Sequence, residues 1–235
     1  MLLEVATGAA ALTAAGVMAY GVRAPRSNLI APSVWRGVAD RNSIALTFDD
    51  GPSEATPRVL DVLDRFGVRA TFFTCGSAVR RLPDVAREIT LWGHEIANHS
   101  DTHPMFALRS RSFLLNEIRA AQESIEGATG KRPVLFRPPY GVRWFGLGGI
   151  LKELDLTAVM WSVLARDWKT DAATVETRLV ERAFPGAIVC LHDGRELRPD
   201  PDISVTLEAL SRAIPRWLER GVRFETVSQI ICPTI

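Results

Sequence analysis

The sequence predicts an α/β fold: a parallel sheet bent into a barrel, with helices on its outer face. Three observations predict it. Short apolar runs alternate with amphipathic helical patterns from Ser43 onward, and repeated β-then-α units imply parallel strands. About seven such units fit into roughly 190 residues, the count of a small barrel or one that fails to close. The residues able to do chemistry fall just after the strand-like runs, where barrels carry their active sites.

Residues 1–22 stand apart from this pattern. From Val5 to Val22 there is no charge, and Ala and Gly dominate. A stretch of this length lies at the lower edge of a membrane span. It reads as an anchor, a signal-like segment or a poor helix packed on the domain, and membrane contact through residues 5–22 is the expectation. The positive n-region of a signal peptide is missing, because Glu4 is the only charge before the run. Arg23, Arg26, Arg36 and Arg41 follow it. Read literally, the positive-inside rule puts the domain in the cytoplasm; the expected arrangement is nonetheless a membrane-associated protein with an extracytoplasmic catalytic domain. Residues 23–41, punctuated by Pro25, Ser27, Asn28, Pro32 and Gly37, read as a linker. The globular domain then spans 42–235.

Each element has its own signal. Ile44–Phe48 is an apolar run that reads as a buried strand. Residues 56–66 carry Val59, Leu60, Val62, Leu63 and Phe66 at helical spacing, with Pro57 near the start and Gly67 after the end. Strands follow at 70–74 and 95–97, with an amphipathic helix at 83–92 between them, closed by Gly93. Leu114, Leu115, Ile118, Ala121 and Ile125 place a long helix over 113–127. A strand at 134–136 precedes a glycine-weakened helix at 144–154. Residues 157–161 form a fifth strand. Asp171 is a plausible N-cap for a helix over 172–183. A sixth strand spans 187–191, a helix interrupted by Pro215 spans 203–220, a seventh strand spans 222–224, and a short helix covers 227–231.

An apolar fraction of 47% is enough for a sizeable core, and a net charge of +1 with no dense basic run argues against a nucleic-acid surface. The three cysteines form no CxxC pair and give no disulfide framework; Cys75 and Cys190 sit in apolar runs and read as small buried residues.

The first strand ends in Asp49-Asp50-Gly51-Pro52. Two adjacent carboxylates repel unless a positive group lies beside them, and a cation is the simplest such group. One Asp can then bind metal while the other acts as a base. The plainer alternative is an Asx-type turn closing the strand. After the third strand come His99 and His103, at i and i+4, which share one face if the segment makes a helical turn. With one carboxylate they would leave open positions on a divalent metal such as zinc, the layout of a catalytic site. The alternative is an exposed pair on a loop. Arg137 follows the fourth strand, in a loop stiffened by Pro138, Pro139 and Gly141; it is either a guanidinium holding a carboxylate or a surface residue beside a turn. Trp168 suits the apolar face of a sugar or acyl group, or the core. His192 ends the sixth strand before Asp-Gly, placed for proton transfer. His94, at the N-terminal end of its strand, reads as structural.

Taken together, these motifs resemble the polysaccharide deacetylases, the NodB-homology enzymes of carbohydrate esterase family 4. The likeness runs from about Ser43 to Phe224. It rests on Thr47–Pro52 as TFDDGP, on the four-residue spacing of His99 and His103, on Arg137-Pro138-Pro139-Tyr140-Gly141, and on Leu191-His192 as a compressed Leu-x-His motif. The resemblance implies a distorted (β/α)7 barrel of the NodB-homology type, preceded by an N-terminal hydrophobic helix. It implies Asp49 as general base, Asp50, His99 and His103 as metal ligands, Arg137 holding Asp49, the Tyr140 N–H facing the oxyanion, and His192 as general acid. Tyr140, Trp168 and Leu191 would shape the acyl pocket. The cofactor would be one divalent ion, zinc first and cobalt or another as alternatives. The substrate would be an N-acetylated amino-sugar polymer or glycolipid.

The family's Asp-x-x-Asp-Trp motif reads Leu164-Ala165-Arg166-Asp167-Trp168 here. With Leu164 in place of the first Asp, His192 must find another partner, for which Asp167 is the candidate, or protonate its leaving group less well. Three rival readings are a deformylase or deacetylase of a lipid-linked sugar, an amidohydrolase of small nitrogenous compounds, and a sugar-binding module with a dead site.

Overall fold

Among the described residues, eight parallel strands build one sheet whose two ends do not pair with each other. The computed structural model describes residues 2–233, with side chains from residue 13 on. The strands are β1 (Ser43–Asp49), β2 (Ala70–Thr74), β3 (Glu95–Asn98), β4 (Leu135–Phe136), β5 (Thr157–Ala158), β6 (Val163–Leu164), β7 (Ala187–His192) and β8 (Arg223–Phe224). Their order is β5-β4-β3-β2-β1-β7-β6, with β8 added beside β1. The result is a half-barrel rather than a closed one.

The strand expected over 157–161 stops at Ala158, and a second short strand, Val163–Leu164, lies beyond its expected end. The chain leaves β5 after Ala158 and re-enters the sheet at the opposite end as β6, pairing Val163 with Val189 and Leu164 with Cys190. The gap between these ends is partly bridged by the N-terminal segment, which forms isolated bridges from Val34 to Val159 and from Arg36 to Ala187. The stretch read as a linker therefore docks on the domain: Ser27 is buried, and Ala31 joins Leu147, Ile150 and Phe136 in an apolar cluster.

The helices are α1 (Leu2–Arg23), α2 (Thr56–Arg65), α3 (Gly76–Arg81), α4 (Pro83–Leu91), α5 (Arg111–Thr129), α6 (Leu147–Glu153), α7 (Ala172–Arg182), α8 (Ser204–Glu219) and α9 (Val227–Ile230). The Asp171 carboxylate accepts from the Thr174 N–H at 2.9 Å and caps α7 as expected. Helix α8 runs through Pro215 without a break, and the six-residue α3 carries too few residues for its periodicity to be read. The proposed membrane segment, 5–22, falls partly on residues 2–12, whose side chains are outside those described. Among the described residues no helix is long and apolar enough to cross a membrane.

Strand alternation sorts β1 into two faces. Ile44, Leu46 and Phe48 point to the helices and meet Leu60, Leu63 and Leu210 in the main core. Ala45, Thr47 and Asp49 point to the concave side. Register pairs Asp49 with His192 and Phe48 with Leu191. The sheet thus delivers Asp49 and His192 to one rim and sends their neighbours into the core.

Candidate active site

At the strand ends the backbone takes conformations that regular strands exclude. Asp50, Ser100, His103 and Tyr140 all have positive φ, between 55° and 73°. For residues with a Cβ this costs of order 1–3 kcal/mol each and persists where surrounding contacts enforce it. Those contacts are present. Ser100 N–H donates to Asn98 Oδ1 at 2.8 Å, and His103 N–H donates to Ser100 Oγ at 3.1 Å. The segment from His99 to His103 is therefore a braced loop. The expected helical turn is absent, and two left-handed residues bring the imidazoles together instead. Gly194 is required for a different reason: a Cβ there would lie 2.4 Å from the Asp50 carbonyl oxygen.

Asp50, His99 and His103 converge and are buried. Asp50 Oδ1 lies 3.0 Å from His103 Nε2 and 3.4 Å from His99 Nε2. His99 Nδ1 sits 2.7 Å from the Arg137 carbonyl oxygen, which can only accept, so Nδ1 carries the proton. The Nε2 lone pair then faces a carboxylate oxygen. A lone pair aimed at an anion calls for a cation between them, and a backbone-held imidazole is the usual support for a metal ligand. The donor set of two imidazole nitrogens and one carboxylate fits a divalent metal. Burial pushes the Asp50 carboxyl up, but where the facing His103 and His99 rings carry a proton on Nε2 their hydrogen bonds outweigh it and hold the group well below the usual range.

Asp49 is arranged differently. Its Oδ1 takes a 2.6 Å ion pair from Arg137 Nη1, and its Oδ2 lies 4.0 Å from His99 Nε2. Arg137 is fully buried and spends its donors on Asp49, Thr47 Oγ1 and the Val159 and Met160 carbonyls. Its guanidinium stacks 4.0 Å from the Phe73 ring centroid. This is the buried carboxylate holder, not the surface arginine.

His192 closes the site from the other side. Its Nδ1 is 2.9 Å from Asp167 Oδ1, and its backbone N–H donates to Asp167 Oδ2 at 2.9 Å. Thr206 Oγ donates to the same Oδ2 at 2.7 Å. Burial lowers the His192 pKa, but the charge and hydrogen bond of Asp167 dominate, and the imidazole is raised to about 9. Asp167, rather than residue 164, is the partner, so Leu164 leaves the histidine paired. Trp168 lays its ring against His192, centroids 4.7 Å apart and nearly perpendicular. His94 is removed from all this. Desolvation lowers its pKa to about 4, and its Nδ1 accepts from the Ala70 N–H.

Asp49, Asp50, His99, His103, Trp168 and His192 line one cavity of about 510 Å³, which also takes in Tyr140, Trp161, Leu164 and Cys190, with Arg137 and Asp167 buried behind them. Leu191, expected to shape the pocket, points away from it. It is 0% exposed and belongs to the main core, because alternation turns it away from His192. The residue two before His192, Cys190, occupies the inward position, its Sγ 3.4 Å from Asp49 Oδ2. Cys190 and Thr47 were legible by counting back two from His192 and Asp49. Thr206, on a distant helix, had no such signal. Asp193 was missed as well: burial pushes its carboxyl up to about 7, with Thr56 Oγ its hydrogen-bond partner at 2.6 Å.

Comparison with known proteins agrees with this geometry. The family model described as polysaccharide deacetylase matches residues 36–159. A peptidoglycan-N-acetylglucosamine deacetylase of Bacillus cereus is 33% identical over 201 residues, covering 82% of this chain and 70% of the relative. A chitooligosaccharide deacetylase of Bradyrhizobium is 35% identical over 202 residues, covering 82% and 92%. The crystal structure of the Bc1960 peptidoglycan N-acetylglucosamine deacetylase superposes with a TM-score of 0.79 at 32% identity, covering 84% of this chain and 92% of that one. The chain belongs to the polysaccharide deacetylases, hydrolases of amide carbon–nitrogen bonds.

Proposed function

We propose that the chain removes the N-acetyl group from an amino sugar in a polysaccharide, using one divalent metal, zinc in the first instance. The observation that carries the reading is the meeting of two separate polar sets in one cavity: Asp50, His99 and His103, and beside them Asp49 and His192, each backed by a buried partner of opposite charge, Arg137 and Asp167. The names of the relatives, which act on peptidoglycan N-acetylglucosamine and on chitooligosaccharides, support the substrate class.

Asp50, His99 and His103 would hold the metal, which when bound supplies a Lewis acid that polarises a carbonyl and acidifies water. The chain's own groups do the rest. Asp49, fixed through Oδ1 by Arg137, takes a proton from the attacking water. A carbon–oxygen bond forms at the acetyl carbon. The Tyr140 N–H, presented by a turn that puts φ at 57°, donates to the oxygen that gains charge. His192, held as imidazolium by Asp167, gives its proton to the sugar nitrogen as the carbon–nitrogen bond breaks. Acetate and a free amine leave. Trp168 and Leu164 bound the space for the acyl group and the sugar face.

The test is acetate release from N-acetylglucosamine oligomers by the full chain. Release is expected from the wild type. His192→Ala is expected to lower kcat by roughly 10²- to 10⁴-fold, the usual contribution of a positioned acid. Equal rates in the two proteins would remove His192 from the mechanism.

A further inference from the structure

Beside the catalytic cavity lies a second cleft, of about 620 Å³, with four arginines and two indoles in its walls: Arg26, Arg166, Arg178, Arg182, Trp35 and Trp161. Among the described residues no carboxylate lines it. Over the whole chain, 28 basic residues face 27 acidic ones, and Arg41, Arg80, Arg111, Arg119 and Arg216 are each ion-paired. Among the described residues, by contrast, Arg26, Arg166 and Arg182 have no carboxylate within ion-pair distance. Arg178 donates to the Ala165 carbonyl, so it is fixed in place by a neutral partner that leaves its charge uncompensated. An unneutralised concave patch of this kind concentrates a positive field.

The cleft adjoins the catalytic cavity, because Trp161 and Leu164 line both. Trp161 is a firm partition. A Cβ on Gly141 would come within 2.5 Å of its ring, so the ring seats directly on the Tyr140 turn, and its centroid is 5.7 Å from the Arg137 guanidinium carbon. The outer wall comes from the N-terminal segment, where Arg26 lies 4.5 Å over the Trp35 ring centroid. That wall is anchored: fully buried Arg143 donates to the Ser27 and Ala24 carbonyls and, at 2.9 Å, to Ser33 Oγ.

We propose that this cleft is a binding subsite for an anionic sugar unit of the substrate, one carrying a carboxylate or phosphate next to the N-acetylated sugar. Guanidinium groups pair with these oxyanions in a planar, two-point geometry, and an indole beside them offers a face to the sugar ring. The proposal rests on the deacetylase reading and specifies its substrate: a charged glycan in preference to a neutral one. The N-terminal segment is then part of the binding surface, through Arg26 and Trp35.

The experiment measures kcat/KM for acetate release by the full chain from three oligomers of equal length. One is neutral N-acetylglucosamine, one carries a carboxylate-bearing ether on alternate sugars, and one carries a phosphate monoester. The wild type is expected to favour at least one anionic oligomer by about tenfold at low salt, with the preference shrinking as salt screens it. Arg26→Gln with Arg182→Gln is expected to bring the ratio near one, chiefly through KM. Arg182→Glu, at an exposed helix end, is expected to reduce it alone. Which oligomer gains tells carboxylate from phosphate, and either supports the subsite. Equal kcat/KM for all three in the wild type would overturn the subsite and leave the deacetylase reading standing. No acetate from any of them would overturn both.

Discussion

At the scale of single residues, His192 and Asp167 form the most sharply testable pair. The imidazole is raised to about 9 because Asp167 supplies a buried charge and two acceptor oxygens. A histidine whose folded pKa lies above its ordinary value contributes stability that is complete below about 6.5 and is lost as pH rises through about 9. In the proposed mechanism the same titration removes the proton the leaving nitrogen needs. Activity is therefore expected to fall on the alkaline side near pH 9. In Asp167→Asn, the His192 pKa and the alkaline limb of kcat/KM are expected to move down together, read by NMR titration and by a pH profile. A profile unchanged in the variant would mean that another group sets the limb. This pairing was half visible in the sequence. Asp167-Trp168 marks the loop, but only the fold shows that β6 enters beside β7 and drops Asp167 under His192. The misplacement of Leu191 has an equally local cause. A period of two decides which residue faces the cavity, and a motif matched one position late lands in the core.

At the scale of elements, the strand ends were legible and the connections were not. Strands β1, β3 and β7 announce themselves by apolar runs ending in polar residues, and each delivers its chemistry where barrel logic expects it. Strands β5 and β6 have two residues each. No periodicity survives in so few residues, so the break between them could not be read. The N-terminal segment was read from composition as a linker, since proline and glycine mark turns. Its burial depends on Arg143, 110 or more residues away in sequence from its partners Ser27, Ser33 and Ala24. Arg143→Met keeps most of the side-chain volume and removes the donors. The variant is expected to lose about 1–3 kcal/mol, the cost of leaving buried carbonyls without partners. It is also expected to become more sensitive to proteolysis between residues 24 and 33. Wild-type protease resistance in that segment would show that Arg143 does not hold it.

At the scale of the whole molecule, one half-barrel brings together groups from five strand ends and leaves its rim open. Asp49 and Asp50 come from β1, His99 and His103 from the loop after β3, Arg137 from after β4, Asp167 from after β6 and His192 from β7. The same openness lets the N-terminal segment wall a second cleft beside the first. The proposed roles of the two neighbouring carboxylates differ because their surroundings differ: Asp50 faces two imidazole nitrogens, and Asp49 faces a guanidinium. That division of labour is the central claim. It is tested most directly by measuring bound metal and acetate release on the same samples of wild type, Asp49→Asn and Asp50→Ala, stripped of metal and then supplied with zinc. The account predicts that the stripped wild type is inactive and recovers with zinc, that Asp49→Asn still binds one zinc yet releases no acetate, and that Asp50→Ala loses both. Zinc lost from Asp49→Asn, or full turnover by the stripped wild type, would contradict it.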